Sequence, residues 1–276
     1  MATKLLSAFL AIALTTGSLN AQDKLDRSKK ELNEGSSNSG SKSRSSTESS
    51  DSDDGIDSEL WADIFTYTIG GVFYVLFGSG DEEHLENELT ECPYYAPERG
   101  NYFNSEFAEG NTGNNFRIDI QDRLVYNSND LFGNHLDAKI RPFQYFYFKV
   151  EYYQLIERQE LAGTTDGLSL FYLNFAYDRL RFERFNLGWT TGVSYVGSGV
   201  NKAGFSFGLQ AEYFLQKNVS FAAAAKWSAV NGKPVNAYEA QARFHKKNYF
   251  LTFGVEQLKI ASPNYTFVTL GAGAYF

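Results

Sequence analysis

From Asn115 to Phe276, large apolar side chains recur at every second position, with charged, small polar or glycine residues between them. A period of two is the mark of β-strands with unlike faces. Phe116, Ile118 and Ile120 alternate with Arg117, Asp119 and Gln121, and Phe146, Phe148, Val150 and Tyr152 with Tyr147, Lys149 and Glu151. Leu187, Trp189, Val193 and Tyr195 flank Gly188, Thr190, Gly192 and Ser194, and Phe205, Phe207 and Leu209 flank Ser206, Gly208 and Gln210. Near the end, Leu251, Phe253 and Val255 answer Thr252, Gly254 and Glu256. Ten strands are predicted: 115–126, 134–142, 145–157, 167–177, 186–197, 203–215, 219–230, 235–245, 248–259 and 265–276. Each can supply the roughly 9 to 11 tilted residues of a membrane-crossing strand.

The alternation alone is compatible with two architectures. In a soluble two-sheet sandwich the apolar face fills a core, whereas in a transmembrane barrel it faces lipid and the polar face lines the interior. The connections favour the barrel. The second, sixth and eighth, around Phe143, Gln216 to Asn218, and Lys246 to Lys247, are tight, while odd-numbered ones such as NSNDLFGN and RQELAGTTD are longer. Short turns on one side and long loops on the other are the barrel habit. The fourth connection, DRLRFERFN, is expected to be long for an inner turn. The fold class expected is all-β: a closed antiparallel up-and-down transmembrane β-barrel of about ten strands.

Ahead of the barrel the pattern changes three times. Residues 1–21 carry Lys4, a short apolar run from Leu5 to Leu14 and an Ala-ended stretch, which reads as a secretory signal peptide cut after Ala21. Residues 22–57 are rich in Ser, Asp, Glu and Lys, too poor in apolar surface to offset ordering entropy, and are expected to form a disordered linker. Residues 58–113 are read as a periplasmic region containing the apolar stretch LWADIFTYTIGGVFYVLF from Leu60 to Phe77. Asp57, Ser58 and Glu59 before it and Gly78 after it favour a helix, while Gly70 and Gly71 at its middle leave two short strands open. Residues 114–276 form the barrel domain.

Composition narrows the choice of partner. Acidic residues outnumber basic ones by 33 to 25, a net charge of -8, and no basic block is present, which argues against nucleic acid. The mean hydropathy of -0.36 fits a barrel in which every second residue faces a polar interior. Cys92 is the only cysteine, so no intrachain disulfide forms.

The signal-like start, the alternating segments and the ending GAGAYF together resemble the superfamily of small bacterial outer-membrane β-barrels that includes OmpA-like and porin-like proteins. The resemblance covers about residues 115–276. It implies a chain in the cell outer membrane, in contact with lipopolysaccharide and phospholipid, with its N-terminal region in the periplasm. It also implies that the terminal aromatic Phe276, with apolar residues such as Val268 and Leu270 at alternate positions before it, is read by the barrel-assembly machinery.

Catalytic and metal signals are weak. No HExxH, Cys pair or His cluster occurs, and no cofactor is implied. His84 lies in an acidic stretch, and His245 adjoins Lys246 and Lys247 at an inner turn. His135 is expected to border an external loop, where with Asp137 and Ser198 it would make a lipid A-modifying site only if the loops met. The charges expected to face the lumen are Arg117, Asp119, Arg123, Lys149, Glu151, Glu212, Lys226, Glu239, Arg243 and Glu256. Their mixed signs suit pairing across a narrow interior, far below the roughly 16 strands that leave a wide channel. The function expected is that of a non-enzymatic structural or interaction component, serving as an accessory subunit of an envelope complex. A small-solute channel and a lipid A-modifying enzyme are the alternatives.

Overall fold

A computed structural model describes residues 24–35, 88–93, 100–103, 116–128, 130–159, 164–216 and 218–276. The proposed signal peptide, the apolar stretch 60–77 and His84 lie outside the described residues. Ten antiparallel strands close into a barrel: β3 (Arg117–Ser128), β4 (Leu131–Arg141), β5 (Phe146–Gln159), β6 (Thr164–Phe182), β7 (Phe185–Val196), β8 (Lys202–Gln216), β9 (Val219–Val230), β10 (Lys233–Lys246), β11 (Tyr249–Ile260) and β12 (Asn264–Tyr275). Each pairs with the next in sequence, and β12 closes on β3 through Val268 to Tyr275 against Tyr126 to Asp119. Closure leaves no unpaired edge.

Alternation sets which way each side chain points. Leu124, Phe205, Leu251 and Leu270 lie outside and are more than 60% exposed. Their neighbours Arg123, Ser206, Thr252 and Thr269 are buried within. The long fourth connection expected from DRLRFERFN is instead a continuation of the ladder by three more residue pairs. β6 runs through to Phe182, β7 restarts at Phe185, and Leu180 pairs with Leu187 and Phe182 with Phe185. A register shift between Asp178 and Leu180 absorbs the charged residues that looked like loop. At the β9–β10 hairpin, Asn231 and Gly232 both adopt positive φ, 51° and 75°, the mirror-image turn that matches strand twist.

Two further pieces fill the mouths. One mouth is made by five hairpins, the other by four and by the barrel's own first and last residues. At the five-hairpin mouth sits α1 (Lys24–Glu34), an 11-residue helix inside the stretch expected to be disordered. That expectation is corrected here for residues 24–34. Leu25, Ser28 and Leu32 fall on one helix face and are fully buried. They meet aliphatic inward residues of the strands, including Leu155, Leu168, Val196 and Leu258. The stretch is too polar to build a core of its own; the barrel supplies the apolar surface that orders it. The backbone N–H groups of Lys24 and Leu25 donate to the Glu157 carboxylate at 3.3 and 2.9 Å, a long-range cap on the helix's positive end. Gly35 ends the helix at a φ of 66°, donating to the Glu31 carbonyl.

At the four-hairpin mouth, β1 (Glu88–Leu89) pairs with β2 (Tyr102–Phe103) in a two-stranded antiparallel piece. Gly100 lets it seat. A Cβ there would stand 1.8 Å from the Glu183 carbonyl oxygen, and its φ of 150° is one that residues with a side chain rarely adopt.

Candidate functional site: the closed lumen

The residues expected to face the interior are all buried in the barrel wall, and they make contact across it. At mid-height, Arg123 of β3 reaches Glu239 of β10 at 2.8 Å and Glu256 of β11 at 2.6 Å. Lys149 of β5 contacts Asp137 and Glu151 at 3.1 Å each, and Lys226 crosses from β9 to Glu151. Three cations therefore face four carboxylates, and His135 stands among them. Its Nδ1 lies 3.1 Å from Glu256, and its ring stacks on Tyr153 with centroids 3.6 Å apart.

Nearer the four-hairpin mouth a second layer continues the closure. Gln121 donates to Gln241 at 2.8 Å across the lumen, and Arg243 donates to Glu212 at 3.0 Å and to Gln121 at 3.2 Å. Below that, Arg117 grips Asp119 at 2.6 Å and also donates to the Thr90 carbonyl and the Asn101 side chain of the inserted strand pair. The Tyr102 hydroxyl donates to Asp178, which Arg141 holds at 3.1 Å. Two cavities among these side chains hold about 10 and about 20 Å³, room for single water molecules.

His135 is thus not at a loop, because the second strand begins at Leu131 rather than near residue 134. With Asp137 it lies inside the lumen, buried. Ser198 stays outside, exposed, where its hydroxyl bonds that of the half-buried Ser169. The set His135, Asp137 and Ser198 is not assembled. His245 is also buried, with its Nε2 2.8 Å from the Ser220 hydroxyl. His135 brings ligating atoms within 4.8 Å of Asp137 and Glu151, and of Glu239 and Glu256. Each of those carboxylates is already engaged by Arg123, Lys149 or Lys226, so the donor set does not fit a divalent ion.

Sequence reading missed His135, Asp137, Lys139 and Arg141 as lumen residues. The signal was present: Leu136, Ala138 and Ile140 alternate with them and point outward. At the other end of the barrel wall, Val268 and Leu270 are exposed on the outer face, and Phe276 is 66% exposed with its backbone paired to Ile118.

No family model matches this chain, and no curated relative does. Solved structures with a similar arrangement include an outer-membrane channel from Pseudomonas putida F1, 9% identical over 60% of this chain and 97% of that one, with a TM-score of 0.37. The N-terminal β-barrel domain of OprF from Pseudomonas aeruginosa is 11% identical over 60% and 100%, with a TM-score of 0.30. LpxR from Salmonella typhimurium is 8% identical over 60% and 86%, with a TM-score of 0.35. At such values the architecture rests on this chain's own strand pairing: a closed, ten-stranded, antiparallel up-and-down β-barrel with a charged interior.

Proposed function

We propose that this chain is an integral outer-membrane barrel with a sealed lumen, acting without catalysis as a structural and interaction component of the cell envelope. The outer surface supports the membrane reading. Large apolar side chains cover it on every strand, far more than the few hundred Å² a soluble monomer tolerates in one patch. Exposed tyrosines stand toward both rims, Tyr126 and Tyr195 at the five-hairpin end and Tyr213 and Tyr249 at the other. That is the position of interfacial aromatic girdles.

The single observation that carries the non-channel role is the set of ion pairs that cross the lumen between non-neighbouring strands, Lys226 to Glu151 and Arg123 to Glu239. Breaking them to let a solute through would strand buried charges. With α1 over one mouth and the β1–β2 pair in the other, the surfaces left for function are the outer wall and the rims. Purified barrel in planar bilayers is expected to show no steady conductance, and copurification in mild detergent is expected to recover envelope proteins with it. Stable channel currents would overturn the sealed-lumen reading in favour of the small-solute channel.

A further inference from the structure

Asp122 is a charge on the outer wall. On β3, alternation turns Gln121 and Arg123 into the lumen and Asp122 outward, where it is exposed. It is the sixth of the 12 residues of β3 and pairs with Leu136, the sixth of the 11 residues of β4. Five residue steps from the start of β3 amount to about 13 Å of height at a tilt of about 40°. That is the centre of an apolar band about 25 Å tall. The other charged residues that alternation turns outward, Arg158, Arg179, Lys246 and Lys259, stand within three residues of a strand end.

The surroundings of Asp122 are apolar. Ile120 and Leu124 flank it along the strand, Leu136 and Ala272 are its direct cross-strand partners, and Leu270 is a diagonal neighbour. A carboxylate at this depth is costly without a partner, which is why ionisable groups in membranes mark contacts. Asn134 supplies part of one, its Nδ2 donating to Oδ1 at 2.6 Å. That bond orients the carboxylate and leaves its charge unanswered: among the described residues no cation forms an ion pair with Asp122. Polar character also continues sideways. Asn134 pairs with Gln154 across β4 and β5, and the Tyr152 hydroxyl donates to Gln154, all on the outer face. On β8, the outward residues from Ala203 to Ala211 are apolar throughout.

We propose that the outer wall of β12, β3 and β4 is the contact surface for a membrane-spanning segment of a different protein, one that brings an arginine or lysine to mid-depth against Asp122. The claim rests on the interaction-component reading above and gives that role a surface. Charge selects the occupant. A second copy of this chain offers no outward cation at mid-height on its described strands, and the apolar stretch Leu60–Phe77 contains no Lys or Arg. Lipid ammonium groups lie with the headgroups, outside the hydrocarbon layer. A cation on a partner's membrane segment is as costly alone as Asp122 is, so pairing relieves both. Shape agrees with charge. Ala138, Ala272 and Ala274 keep the neighbourhood of the carboxylate low, so a partner's backbone can come close.

The full chain in native membranes tests this, with photoreactive benzoylphenylalanine replacing either Leu124, beside Asp122, or Phe205 on β8, across the barrel. Leu124→benzoylphenylalanine is expected to give one protein adduct, whose partner peptide carries an Arg or Lys within a membrane-spanning segment; the Phe205 variant is expected to give none. Asp122→Asn removes the charge and should cut the adduct yield about tenfold or more. Asp122→Arg combined with an acidic residue in place of the identified cation should restore it. Adducts with lipid alone, a band of twice the mass from a second copy, a partner peptide without a basic residue, equal yield from both walls, or a yield unchanged by Asp122→Asn would each overturn the proposal. The urea midpoint of the isolated barrel in micelles gives an independent reading. Asp122→Asn is expected to leave it equal or higher, because a lone barrel loses a charge from its apolar face; a fall assigns Asp122 to the fold and overturns the contact. Copurification separates this claim from the one beneath it. Envelope proteins recovered equally with wild type and Asp122→Arg defeat this surface alone, whereas none recovered with wild type defeats the interaction reading itself.

Discussion

Glu151 shows how much a single lumen residue carries. Its carboxylate is fully buried and receives Lys149 and Lys226 from two different strands. Removing one member of a buried ionic set strands its partners, an effect of about 3–5 kcal/mol. Glu151→Gln is therefore expected to lower the urea midpoint of the barrel in detergent micelles, measured by the gel shift between folded and unfolded forms. Adding Lys226→Met should restore most of that loss, since Glu151 is the ion-pair partner of Lys226 among the described residues. Gly100 acts by the opposite route, through the lack of a side chain. Gly100→Ala drives a Cβ into the Glu183 carbonyl, and the β1–β2 piece has to shift. Cys92, 3% exposed in the native barrel, is then expected to react with maleimide much faster while the ten-stranded fold persists.

At the scale of elements, α1 is held by few but well-placed contacts. Leu25→Ala and Leu32→Ala each delete a fully buried side chain, about 2–5 kcal/mol apiece. Either is expected to expose the helix to added protease without unfolding the barrel. The helix also responds to acid. Hydrogen bonds from Ser262 and then Arg27 hold the Glu31 carboxyl at about 2, below its ordinary value of 4.5. A depressed acid stabilises docking fully above its undocked value, and this contribution disappears as pH falls from about 4.5 through about 2. Protease sensitivity of α1 should rise over that window, and Glu31→Gln should remove the pH dependence by leaving docking weakened throughout. Little of this was legible beforehand. Leu25 and Leu32 are two apolar residues in a charged stretch, and their spacing means nothing until a barrel mouth lined with Leu155, Leu168 and Leu258 offers them a surface.

For the whole molecule, the ion pairs and the mouth pieces close the lumen redundantly. Deleting residues 22–35 is thus expected to leave conductance in planar bilayers near zero, because Arg123 and Lys226 still cross the lumen at mid-height. Opening should require loss of the cross-wall set as well, as in a deletion combined with Glu151→Gln and Arg123→Gln. The mouth pieces thus add to the ion pairs that carry the reading as an envelope component rather than a conduit.

The alternation of side chains determined by itself that strands form, roughly where each lies, and which charges turn inward, because a pleated strand fixes direction by parity of position. It placed Arg117 and Glu256 on the inner face without any knowledge of their partners. Pairing is another matter. That Arg123 meets Glu239 rather than a neighbour on its own strand depends on barrel closure, which brings residues 116 apart in sequence together. The fate of Lys24–Glu34 was likewise decided in three dimensions: a short polar helix is unstable alone, and only the apolar mouth of a finished barrel gives it a reason to exist.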